Sequence, residues 1–194
     1  MLPPQKNENE KHASLLKSFP PALQKLARPL SFERGALVFR QGEADPHIYL
    51  ITQGLLKGVY TTHDGKEFIK TIIREGDFIG SMASQTAGGQ CSFSLICLEA
   101  VQALRLPFAE VERRAGEDLA FADLLRRAFQ GLALKKEQRE YELLCLSPED
   151  RYRRLLDRSP DLLQRLTQND IARYIGVTPV ALSRIRARLR SNVT

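Results

Sequence analysis

Arg184, Arg186, Arg188 and Arg190 stand at every second position near the end of the 194-residue chain. A guanidinium neutralises phosphate and can donate two parallel hydrogen bonds to a guanine edge, so such a segment suits nucleic acid if a scaffold presents it. On a helix, the spacing of two turns Arg186 about 200° away from Arg184, whereas Arg184 and Arg188 share a face with Ala181. Residues 160–194 hold six Arg and no Lys against Asp161 and Asp170, a local excess of four positive charges. The whole chain carries +6, from 29 Lys and Arg against 23 Asp and Glu. An arginine-rich terminal helix can also be a plain solvated face, so the scaffold around it decides the reading.

That scaffold is legible. Leu166-Thr167-Gln168-Asn169-Asp170 reads as a helix start, with Thr167 as the cap and Asp170 at the third helical position. Ile171, Ala172 and Ile175 form its apolar side, Gly176 stops it and Val177 fills the turn. Thr178-Pro179 caps and opens a second helix, in which Leu182, Ile185 and Leu189 face inward. Helix, short glycine-containing turn and helix make the helix-turn-helix pattern, whose second helix enters the major groove of DNA.

Upstream, Leu15, Leu16, Phe19, Leu23 and Leu26 have helical spacing, and Pro20-Pro21 splits them into two short helices. From Phe32 the texture becomes that of strands: Ala36–Phe39, Ile48–Thr52, Leu56–Thr61, Glu67–Ile73, Phe93–Leu98 and Val101–Leu106. His63-Asp64-Gly65-Lys66 marks a hairpin, and Gly76-Asp77-Phe78 another turn. Short, closely spaced strands without intervening helices predict an antiparallel sandwich or barrel. After Pro107 the period becomes helical. A short helix with Phe108, Val111 and Ala115 ends at Gly116, and a long one runs from Glu117 to about Leu146. Its stripe of Phe121, Leu125, Ala128 and Leu132 is too long for the β-domain to cover, so a second copy of the chain is the expected partner, with packing on its own β-domain as the alternative. Lys135–Glu140 reads as a solvated face leading out of that contact, and Ser147-Pro148 opens a helix over Glu149–Arg158.

Cys91, Cys97 and Cys145 form no CxxC or Cys/His cluster, which argues against a disulfide framework and a structural zinc. They read as small core residues, with a redox-sensing thiol as the sharper alternative. His12, His47 and His63 lack the paired spacing of a barrel metal site, and no nucleophile and base cluster, so an enzyme is not expected and no cofactor is called for. The polar start MLPPQKNENEKHASLL lacks the pattern of a signal peptide, and no apolar run would span a bilayer, so the expected location is the cytoplasm, away from any membrane.

The order of these parts resembles the Crp/Fnr family of bacterial transcription regulators over nearly the whole chain. The matching segments are Tyr49–Gly54, Gly76-Asp77-Phe78-Ile79-Gly80, the long helix, the hinge-like Glu142–Tyr152, and Leu166-Thr167-Gln168 through Ser183-Arg184-Ile185. The resemblance implies an α+β protein: an N-terminal antiparallel β-roll of the cyclic-nucleotide-binding type (a jelly roll) flanked by helices, a long dimerisation helix, and a small C-terminal helix-turn-helix domain. The expected bounds are 1–116, 117–146 and 147–194. It further implies a homodimer on double-stranded DNA, RNA polymerase as a partner and a small-molecule effector.

Departures from the family pattern sharpen the expectations. The effector loop follows Gly80, and Gly80, Ser81, Met82, Cys91 and Ser92 are its pocket positions. Ser81 stands where the family has Glu for the ribose hydroxyl, and Cys91-Ser92 where it has Arg-Ser for the cyclic phosphate. Losing the Arg removes charge-assisted bonds worth roughly 1.5–3 kcal/mol each, so the sensor is predicted not to respond to cyclic AMP. The loop Ser81–Gln90 takes another ligand or is a structural remnant. No N-terminal Cys cluster exists for an iron–sulfur centre. After Thr178 the family often has Arg-Glu reading bases; here Pro179-Val180 cannot hydrogen-bond a base edge. Ser183 and Arg184 match the family and are the candidate base readers, with Arg188 on the same face. Thr167, Gln168, Asn169 and Thr178 are candidate phosphate contacts at helix starts. With Thr194 so soon after the second helix, a full wing hairpin is not expected. The competing reading is a regulatory or scaffolding dimer that has lost ligand or specific DNA binding.

Overall fold

A computed structural model describes residues 21–191. Helix α1, Pro21–Leu26, precedes eight strands: β1 Arg28–Phe32, β2 Leu37–Phe39, β3 His47–Gln53, β4 Leu56–Thr61, β5 Glu67–Ile73, β6 Phe78–Ile79, β7 Ser94–Cys97 and β8 Val101–Pro107. They form two antiparallel four-stranded sheets, ordered β1-β8-β3-β6 and β2-β7-β4-β5, which face each other as a jelly roll. Phe39, Tyr49, Ile51, Leu56, Ile73, Phe93, Leu95 and Val101 fill the space between them. The Asp64-Gly65 hairpin is present, with Gly65 at φ +78° as its turn requires. Two strands escaped the sequence reading. β1 carries Arg28 and Pro29 at a sheet edge, where proline is tolerated, and its five residues pair with Val101–Arg105. β6 spans only two residues, inside the Gly76–Gly80 turn, and its pairing with Tyr49 and Leu50 comes entirely from β3. The helix expected around Leu15, Leu16 and Phe19 lies outside the described residues, as does any wing beyond Ser191.

Helix α2 runs Phe108–Glu117 and α3 runs Leu119–Cys145. Gly116 does not end α2; Asp118 makes the break, its side chain accepting from the N–H groups of Ala120 and Phe121 to cap α3. The stripe assigned to a partner copy is corrected by the packing. Phe121 is buried and Leu125 and Phe129 pack with Phe108, Val111, Ile48 and Leu106 on the chain's own roll. Leu124, Leu134 and Tyr141, 40%, 59% and 49% exposed, lie on another face, and Leu119, Leu143 and Leu144 are open as well. With Gly131, Gln138 and Cys145, Leu124, Leu134 and Tyr141 step by seven, three, four, three and four residues, the spacing that a coiled-coil seam would use. The stretch Lys135–Glu140 is not simply solvated either. Lys135 Nζ pairs with Asp77 at 2.6 Å, and Arg139 is largely buried over the ring of Tyr174.

Four helices follow: α4 Pro148–Arg158, α5 Pro160–Arg165, α6 Gln168–Ile175 and α7 Pro179–Ser191. Ser147 caps α4 as expected, accepting from Asp150 N. Helix α5 was not foreseen, because six residues are too few to show a period. Tyr152, Leu155, Leu162, Leu166, Ile171, Ala172, Ile175, Leu182 and Ile185 form one core, and it includes Leu55 of the roll, with Ile72 and Leu98 packed against it. The helical unit is therefore seated on the outer face of β4 and β5.

Candidate nucleic-acid interface and effector loop

Helices α6 and α7 form the expected helix-turn-helix. Thr167 Oγ1 accepts from Asp170 N at 3.1 Å and donates to the Asp170 carboxylate at 2.5 Å. Gly176 adopts φ +75°, and its N–H and that of Val177 return to carbonyls of α6, closing the turn. Thr178 Oγ1 accepts from Ala181 N at 3.2 Å. Leu182 and Ile185 are buried against α6, which fixes the direction of α7. The opposite face is open. Ser183, Arg184 and Arg188 are all exposed, as are Thr167, Gln168, Asn169 and Thr178. Arg184 has no ion pair among the described residues, and Arg188 reaches Glu149 only at 3.6 Å. Arg186 turns the other way, over the ring of Tyr152. Val180 is 62% exposed at the head of α7.

The arginines before the turn are committed elsewhere. Arg165 bridges two carboxylates of the roll, Nη2 lying 2.8 Å from Glu75 and 2.6 Å from Glu99. Arg173 pairs with Glu67 at 2.5 Å, and Asp161 with Arg74 at 3.4 Å. Asp170 is buried and meets Lys57 Nζ at 2.8 Å. Burial alone would raise the Asp170 carboxyl, but the bonds from Lys57 and Thr167 outweigh it and hold it below the usual carboxylate range. Arg139 of α3 joins three elements: it donates to the carbonyl of Tyr174 in α6 and, at 3.4 Å, to that of Ile69 in β5. Sequence reasoning missed Lys57, Glu75 and Glu99. Their one signal, charged residues flanking apolar strand segments, is shared by every solvated edge.

The loop after β6 is closed upon itself. Ser81 is buried, and its Oγ accepts from Ser92 N at 3.0 Å, which draws together the two ends of the expected pocket. Cys91 is buried beside them, while Met82 and Ser92 are exposed. Gly80 is needed where it stands, since a Cβ there would lie 2.8 Å from the His47 carbonyl oxygen. Ser84 Oγ accepts from Asp45 N at 2.7 Å. The Asp45 carboxylate accepts from Tyr49 Oη at 2.7 Å and lies 2.6 Å from His47 Nδ1. Burial raises the Cys91 thiol, with Asp45 adding to the effect, so this thiol is held protonated. Where the family pattern has an arginine, this loop has a neutral thiol near a carboxylate. A shallow cavity of about 330 Å³ beside it is lined by Ala44, Pro46, Ser84, Thr86 and Gly88–Gln90.

Comparison with known proteins follows the same outline. The Cyclic nucleotide-binding domain family matches residues 29–118. The global nitrogen regulator of Synechococcus elongatus is 26% identical over 178 residues, covering 83% of this chain and 78% of that protein. The fumarate nitrate reduction regulatory protein of Klebsiella oxytoca is 26% identical over 179 residues, covering 86% and 70%. Among solved structures, FixK2 from Bradyrhizobium japonicum superposes with a TM-score of 0.75 at 17% identity over 86% of this chain and 85% of that one. In the order of roll, long helix and helix-turn-helix, the chain is similar to transcription regulators of the Crp/Fnr family.

Proposed function

We propose that the chain acts as a homodimeric, DNA-binding transcription regulator whose roll senses something other than cyclic AMP. The observation that carries this is helix α7: locked from behind by Leu182 and Ile185, it leaves Ser183, Arg184 and Arg188 open along one face. Arg184 suits a guanine edge, and Arg188 suits phosphate. Val180 replaces a hydrogen-bonding reader with a methyl-bearing side chain that fits a thymine methyl. Thr167, Gln168, Asn169 and Thr178 stand at helix starts beside free N–H groups and are the phosphate contacts in this reading. Two copies joined along Leu124, Gly131, Leu134 and Tyr141 of α3 would present two such helices to successive half-sites. The natural units are a roll, a dimer helix and a reader, divided near residues 116 and 146.

The test combines light scattering with a mobility-shift assay on genomic fragments at low and moderate salt. A dimer that binds, loses affinity as salt rises and becomes monomeric with Leu134→Glu is the expected result. A folded dimer with no DNA binding at low salt overturns the reading in favour of a scaffolding role.

A further inference from the structure

The last four carbonyls of a helix have no partner within it, and in α6 these belong to Ala172, Arg173, Tyr174 and Ile175. The turn takes the first two, since the N–H groups of Gly176 and Val177 return to Ala172 and Arg173. The other two are claimed from outside the motif. Arg139 of α3 donates to the Tyr174 carbonyl and lays its guanidinium over that residue's ring, 4.0 Å from the centre. Arg151 of α4 donates through Nε to the Ile175 carbonyl at 2.8 Å. The same Arg151 reaches back to the end of α3, where Nη1 donates to the carbonyls of Leu143 at 3.2 Å and Leu146 at 2.8 Å. One planar group thus closes two helix ends, and its rigid fork fixes the angle between them.

These contacts meet at the turn itself. A Cβ on Gly176 would stand 3.6 Å from Leu143 Cδ2 and 3.9 Å from Arg151 Nη2, so the end of α3 lies against the turn. Past the turn, α7 takes its direction from α6 through Leu182 and Ile185. The orientation of α7 against α3 therefore passes through Tyr174 and Ile175. The ion pairs of α6 act elsewhere, because Asp170–Lys57 and Arg173–Glu67 tie it to the roll and not to α3. Along the chain, α3 reaches α6 only by way of α4, α5 and their turns.

We propose that Arg139 and Arg151 are positioning residues that set which separation of DNA half-sites the paired α7 helices accept. Two half-sites face the same side of the duplex only near a whole helical turn, so a dimer selects its spacer by the distance and angle at which its reading helices are held. Here α3 carries the open seam and α7 the open arginines, and the two guanidiniums join one to the other. Neither touches DNA in this arrangement. The assignment rests on the homodimeric, DNA-binding reading above and adds to it what fixes the geometry of the pair.

The experiment compares the full chain with Arg139→Lys and Arg151→Lys, which keep the charge but replace the fork by a single ammonium. A site selected from random DNA is rebuilt with base pairs added or removed between its halves. The unsubstituted dimer should favour one spacer by about tenfold or more. Each variant should bring the spacers to within about threefold of one another and leave the salt dependence on the best spacer unchanged, since no phosphate contact is lost. A preference that persists overturns the proposal, and so does an affinity that falls equally at every spacer, the result that a merely structural role gives. The linkage is also read without DNA, by the distance between spin labels on Ala133→Cys of α3 and Ala187→Cys of α7, both exposed positions. The labelled chain carries Cys145→Ser, because that thiol is exposed, and is diluted in unlabelled protein. A single narrow distance that broadens in both variants is expected, and an unchanged distribution overturns the linkage. If the unsubstituted dimer binds no DNA while the distance broadens in the variants, the regulator reading falls and the linkage stands.

Discussion

Helices α6 and α7 belong to one motif, yet their charges do opposite things. On and just before α6, Arg165, Arg173 and Asp170 are paired with Glu75, Glu99, Glu67 and Lys57, all from the roll. On α7, Arg184 has no ion pair among the described residues, and Arg188 has a long one. In residues 160–194, Arg165 and Arg173 cancel against Asp161 and Asp170, so the local excess of four is carried by the four arginines of α7. The paired set holds the helical unit to the roll, whereas on α7 Arg184 can meet a phosphate or a base edge without breaking an ion pair. Net charge counted along a chain does not say which of its charges have already found each other.

The largest expected effect tests the α6 side. Asp170→Asn leaves the Lys57 ammonium without its partner in a nearly dry contact and should cost about 3 kcal/mol in urea unfolding. A loss below about 1 kcal/mol would mean that water reaches the pair. The sign with pH follows from the lowered Asp170 carboxyl. Its stabilisation is complete above the ordinary value of 3.8 and disappears as the pH falls below that through the folded value, so the variant should lack this acid-dependent step.

Next comes the α7 side. Arg184→Ala should lower specific DNA affinity by about 1–3 kcal/mol and flatten base preference in a competition assay. Undiminished selectivity would move base reading to other residues. A smaller effect separates the two helices directly. Arg188→Ala should reduce the slope of log affinity against log salt by about one, whereas Arg173→Ala should leave it unchanged. Equal slopes in the two variants would erase the distinction drawn here. Smallest of all, Glu99→Gln should shift stability by no more than about 1 kcal/mol, since Arg165 and Glu99 are both partly open to solvent and Glu75 still holds the guanidinium.

Much of this was readable from local chemistry. The Thr167 cap, the Gly176 turn, the Ser147 cap and the Asp64-Gly65 hairpin are events within a few residues, and each appears at its expected position. The family pattern pointed to the loop after β6, where Ser81 and Cys91 are buried. What was misread needed distant partners. The stripe at Phe121 and Leu125 looked unpartnered because helical spacing shows that a face is apolar, not which surface covers it. β1 and β6 carry weak strand signals, and their pairing is supplied by β8 and β3.

By itself the sequence determined the order of parts and the composition of the reader: a roll, a long helix and a helix-turn-helix whose second helix is rich in arginine. Backbone propensity, capping and periodicity act over a few residues, so they survive being read in one dimension. Tertiary structure alone decided which cations are spent and which are free. Lys57 met Asp170 across 113 positions, Arg165 met Glu75 across 90, and Arg139 met the ring of Tyr174 across 35. Coulomb and aromatic contacts depend on distance through space, and only the folded chain sets that distance.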